Sequence, residues 1–205
     1  MKKIITLLLS CLVTMTSFAQ SEVTIDDVMT KPLAIVDWKG NIWNYTEEDF
    51  MSVKNSLKFK QQKPDKTIYA ARIKETFFGY KSGIYVQIAN SKLKEYSVTT
   101  TNLKPSNATK VIEDITEQLK SKGVNLVKGN SEECATLKLM HEYMKMAWKP
   151  SSIPECMTGS KGNNTYYLFS AKMMGVVSVV LAVRENIGSA AVTEQTSVLE
   201  GGGLE

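Results

Sequence analysis

The chain reads as an α+β domain, a largely antiparallel sheet of about six to seven strands with three helices packed on one face. Two observations lead there. Apolar runs of strand length, some adjoining across short turns, alternate with segments whose apolar residues recur at helical spacing. Their order is roughly β-β-α-β-β-α-β-α-β-β, which mixes hairpins and single helices and lacks strict βαβ alternation. No internal repeat interrupts this order.

The first nineteen residues have the three parts of a secretory signal: Lys2 and Lys3, an apolar stretch from Ile4 to about Val13, and small residues Ser17 and Ala19 around Phe18. Cleavage between Ala19 and Gln20 is therefore expected. A competing pattern, Leu8-Leu9-Ser10-Cys11, resembles a bacterial lipoprotein signal and would anchor the protein by a lipid on Cys11. It leaves only Ile4 to Ser10 as apolar core and puts Leu12 and Val13 beside the new terminus. The chain is accordingly divided into a removed signal (1 to 19), a single α+β domain (20 to 185) and a C-terminal tail (186 to 205), small and polar, that reads as loose and flexible.

Removing nineteen of the 205 residues leaves 186, enough for one well-filled core. The loss of Lys2 and Lys3 leaves 23 basic against 21 acidic residues, a formal charge of +2. A dedicated nucleic-acid binder carries a far stronger positive field, so that class is set aside.

Along the domain, "LAIVDW" (33 to 38) and "IWNY" (42 to 45) read as a hairpin across "KGN". Thr46 with Asp49 imitates a capping box, and Phe50, Val53 and Leu57 share one face, so a helix is expected from 47 to about 58. "TIYAARI" (67 to 73) and "GIYVQIA" (83 to 89) read as strands joined by a turn at 80 to 83. Val111, Ile112, Ile115 and Leu119 give the strongest helical period, between Asn107 and Lys122, with Pro105 at its start and Gly123 where a left-handed cap is wanted. "VNLV" (124 to 127) reads as a strand; Ser131 caps a further helix that Pro150 stops. "TYYLFS" (165 to 170) and "VVSVVLAV" (176 to 183) complete the sheet, the latter apolar on both faces and so central. The run from Met173 to Val183 is too short to span a membrane.

Two cysteines, Cys134 and Cys156, remain after the signal, and an exported chain meets oxidising surroundings, so a disulfide is expected between them. The alternative is a hydrolase that uses Cys156 as nucleophile and His141, the single histidine, as base. "HEYMK" (141 to 145) begins like a zinc helix, but Lys145 replaces the second imidazole, so no metal site and no cofactor is expected. "TGSKGNN" (158 to 164) lacks the order of a phosphate loop and reads as a mobile loop.

Two sets of residues are candidates for binding. Trp38, Trp43 and Tyr45 flank the first turn and, if exposed, offer rings for sugars or a protein; Trp38 and Trp43 alternatively cover one edge of the core. Lys54, Lys58, Lys60, Lys63 and Lys66 crowd around Phe59 with one acid among them, a basic patch suited to an acidic protein partner or an anionic surface polymer. Paired acids (Asp26 and Asp27, Glu47 and Glu48, Glu132 and Glu133) are not read as catalytic, because sequence neighbours seldom face each other, and Glu47, Glu48, Glu132 and Glu133 fit helix starts. Together these features lead to the expectation of a non-enzymatic, inhibitor- or immunity-like binding protein, periplasmic or extracellular, with the hydrolase and the Cys11-anchored lipoprotein as alternatives.

Overall fold

The computed structural model describes residues 22–30, 42–55, 58–63, 66–129, 134, 156–173 and 175–186. Its strands are β1 Glu22–Val23, β2 Lys60–Gln61, β3 Ile68–Phe77, β4 Tyr80–Ala89, β5 Lys92–Leu103, β6 Val127–Lys128, β7 Cys156–Lys161, β8 Asn164–Met173 and β9 Val176–Glu185. All nine belong to one sheet in the order β1-β3-β4-β5-β9-β8-β7-β6, with β2 also on β3. Every pairing is antiparallel except β1 on β3. Three helices, α1 Ile25–Thr30, α2 Glu47–Lys54 and α3 Pro105–Ser121, pack with one face of the sheet. The α+β class and the largely antiparallel sheet are as the sequence predicts.

The strand count exceeds six to seven for identifiable reasons. Two of the unexpected strands, β1 and β2, are two-residue pairings too short to show a period. "IWNY" is no strand: Ile42–Asn44 is a turn of 3-10 helix. "TGSKGNN" is no mobile loop, because it holds most of β7 and the tight turn at Gly162 into β8. "VNLV" contributes only its last residue to β6. The expected strand at 33 to 38, the helix from 131 and the tail beyond Asn186 lie outside the described residues.

Tight turns set the register of the meander. Phe78 and Gly79 (φ 52° and 73°) join β3 to β4, and Asn90 and Ser91 (φ 52° and 60°) join β4 to β5. Both pairs have positive φ throughout, the geometry whose twist matches paired strands. The first turn therefore sits two residues before the expected "YKSG", which is inside β4. Asn90, unlike most residues, tolerates the left-handed region well.

The helices are held by local chemistry and by apolar burial. The Thr46 hydroxyl accepts from the Asp49 amide (3.1 Å) while the Asp49 carboxylate accepts from the Thr46 amide (2.9 Å), a reciprocal cap on α2. The Thr46 hydroxyl also donates to the Asp49 carboxylate at 2.6 Å, and this bond, followed by that from the Thr46 amide, holds the Asp49 carboxyl below the usual carboxylate range by favouring its charged form. Thr24 and Asp27 repeat the device at α1. α3 has no side-chain cap, but Pro105 suits its first turn and Gly123 (φ +83°) its end. Ala108, Val111, Ile115 and Leu119 face the sheet from α3; each of the three larger ones contributes roughly 1.5–3 kcal/mol on burial. They meet Val98 of β5 and Val179, Leu181 and Val183 of β9, so the central strands carry the main core.

The opposite face is divided. Transverse pairing puts Arg72, Gly83, Thr99, Val180, Phe169 and Cys156 in one row from β3 to β7. At the β7 end Cys134 packs on Cys156, Phe169, Val180 and Ala182, and the two cysteines form a disulfide with Cα atoms 6.0 Å apart. With its ends 22 positions apart in sequence, that bond contributes about 3 kcal/mol on the chain-entropy account. At the β3 end no described element covers the same face.

Candidate functional site

The open half of the face is a groove of ≈ 790 Å³ across β3, β4 and β5. Its floor is built from Ala71, Gly83 and Thr99, all buried, and around them stand the exposed cations Lys58, Lys60, Arg72 and Lys81. No acid is among the described lining residues. None of the four cations makes an ion pair among the described residues. Like charges held together without counter-charges raise the local potential and concentrate anions there, an effect screened beyond about 8–10 Å at ordinary ionic strength.

Backbone irregularity gathers at the same place. β3 bulges between Arg72 and Thr76 against β4, and β5 bulges between Thr100 and Leu103 against β9. Bulges interrupt pairing and re-aim side chains. Five non-glycine residues among those described have positive φ: three form the two hairpin turns, and the other two, Lys58 (57°) and Asn102 (62°), both line the groove. Holding a lysine there costs on the order of 1–2 kcal/mol, a cost that surrounding structure must offset. β3 is also left partly uncovered on this side, because β2 pairs only with Tyr69 and Ala70 and β1 only with Thr76 and Phe77.

Of the residues singled out in the sequence, the structure brings Lys58 and Lys60 into the groove. Lys63 is exposed but lies outside it. Lys54 instead stands over the ring of Tyr69, 4.9 Å from its centroid. Trp43 and Tyr45 belong to the core, 3% and 1% exposed: of the two readings of Trp43 the core one holds, and Tyr45 is not the surface ring that binding needs. Trp43 donates from Nε1 to Asn164 Oδ1 at 2.8 Å and packs on Tyr96, while burial, reinforced by the Asp49 charge, pushes the Tyr45 hydroxyl up to about 12. Trp38, His141, Cys11, Ala19 and Gln20 lie outside the described residues. With Cys156 bonded to Cys134, the sulfur that the hydrolase alternative needs is not a thiol. Of the paired acids, Asp27 caps α1 and Asp26 pairs with Lys122 at 2.6 Å.

The sequence reasoning missed Arg72 and Lys81. Nothing local marks them, since they are single charges inside strands, and only the β3–β4 hairpin carries them to the cluster at Lys58 and Lys60.

A second depression of ≈ 430 Å³ lies at the far end of the same face. There Glu95, 2% exposed, accepts from Arg184 Nε at 3.0 Å, and Arg184 stands over Tyr167, 5.9 Å from the ring centroid. Lys94 and Arg184 face Glu95 and Glu185, so its charges balance. It offers no net field to a ligand.

Among the described residues no group of three or more His, Cys, Asp or Glu side chains is placed to hold a metal ion, and no helix is long and apolar enough to cross a membrane. No protein-family model, curated protein or solved structure matches the chain.

Proposed function

We propose that the protein is an exported, non-enzymatic binding protein that engages an anionic partner through the groove on β3, β4 and β5. The observation that supports this reading is the convergence of Lys58, Lys60, Arg72 and Lys81, without an ion pair or a groove acid among the described residues. The disulfide fits an exported chain. Affinity for a soluble polyanion at low salt, measured by calorimetry, tests the reading. Changing Lys58, Lys60, Arg72 and Lys81 together to Gln abolishes binding, whereas Lys110→Gln with Lys120→Gln, on exposed positions of α3, leaves most of it. Equal losses in both variants would mean that net charge, rather than this groove, does the binding. Export is tested separately by the mass of the mature N-terminus, expected to begin at Gln20.

A further inference from the structure

We infer that the groove's ligand is an anionic glycan, a hydroxyl-rich chain with regularly spaced acid groups such as the uronate polymers of cell surfaces; the inference rests on the anion-binding reading above and narrows it. An acidic peptide or a polyphosphate needs only cations. This groove supplies neutral hydrogen-bonding groups as well. Thr101 and Asn102 line it, and their side chains make no hydrogen bond among the described residues. Hydroxyl and carboxamide groups both donate and accept, which matches sugar hydroxyls in a way that an ammonium group cannot. The bulge in β5 and the left-handed backbone of Asn102 (φ 62°) are what turn these two residues out of the regular ladder.

The floor fits the same ligand. Gly83 lies between Arg72 of β3 and Thr99 of β5, and a Cβ on it would come within 3.2 Å of the Ala71 carbonyl oxygen. Half-buried Tyr85 borders this shallow surface and packs against the apolar cluster around the disulfide. Arg72 presents a planar fork of donors that fits a carboxylate or sulfate bidentately. The volume lies in the range that holds a small ligand, so the groove takes a few sugar units rather than a long stretch of chain.

The experiment compares three probes by calorimetry at low salt: a uronate-containing oligosaccharide, polyglutamate of matched charge, and neutral dextran. The oligosaccharide binds most tightly. Thr101→Val, which keeps the strand shape, and Asn102→Gly, which keeps the positive φ, each weaken it about tenfold and leave polyglutamate unchanged. Arg72→Gln weakens both anions. Polyglutamate binding as tightly as the oligosaccharide, or indifference of the oligosaccharide to both Thr101→Val and Asn102→Gly, overturns the glycan assignment while the anion-binding groove stands. If neither anion binds, the reading beneath it falls too.

Discussion

Replacing Tyr96 by phenylalanine tests how the sheet holds its helical layer. The Tyr96 hydroxyl, on central strand β5, donates to the Val28 carbonyl of α1 at 2.8 Å, and the side chain is fully buried. Tyr96→Phe removes the hydrogen bond and leaves that carbonyl without this donor, which costs about 1–2 kcal/mol. In a domain of this size the melting temperature falls by roughly 2–8 °C. Burial, and after it the neighbouring Tyr166, raise the Tyr96 pKa well above its usual value near 10. The native state therefore keeps its proton at a pH where the unfolded chain has lost it. Stability from this group is complete below pH 10 and declines above it, by about 1.4 kcal/mol per pH unit. Phenylalanine has no such dependence, so the gap between wild type and variant, open at pH 7, closes near pH 11. Urea unfolding at both values reads it directly. A gap that is absent at pH 7, or that stays constant to pH 11, refutes the reasoning.

Other consequences follow from single contacts. The Asp49 carboxyl titrates low because Thr46 holds its charged form, so its contribution is present above the ordinary carboxylate range and is lost as pH falls through the lowered value; the acid side of the stability profile should be shallower in Asp49→Asn than in wild type. A Cβ on Gly159 would lie 2.5 Å from the Asn125 carbonyl oxygen, so Gly159→Ala destabilises by about 1–3 kcal/mol and speeds amide exchange at Val127 and Lys128; unchanged exchange contradicts that close approach. Titration of the native protein with a thiol reagent finds Cys134 and Cys156 unreactive, and their joint replacement by Ala lowers stability by about 3 kcal/mol; two reactive thiols would contradict the pairing.

The parts of the fold that are legible in the sequence are those where one physical signal dominates. Ala108, Val111, Ile115 and Leu119 show the helical period of α3 plainly, and β9 shows itself as an apolar run because it lies between β5 and β8 and is buried on both sides. Thr46 and Asp49 announce α2 by their cap. The same logic at Thr24 and Asp27 would have found α1. β5 escapes because its buried positions include Glu95, Ser97, Thr99 and Thr100, whose polarity hides the alternation; the Thr100 hydroxyl accepts from the Val179 amide at 3.2 Å, so burial there is satisfied by β9 rather than by apolar character. β7 escapes because Gly159, read as loop chemistry, is a strand residue that lets the chain at Asn125 approach. The groove was half visible: Lys58 and Lys60 stand in a basic run, whereas Arg72 and Lys81 join them only through pairing.

The most direct test of the groove is a map of backbone amide shifts in the native protein as a uronate oligosaccharide is added at low salt. Perturbations confined to Lys60, Arg72, Lys81, Gly83, Thr99, Thr101 and Asn102, saturating together, are what the account predicts. Shifts scattered over lysines on α3 and elsewhere, without saturation, would contradict it.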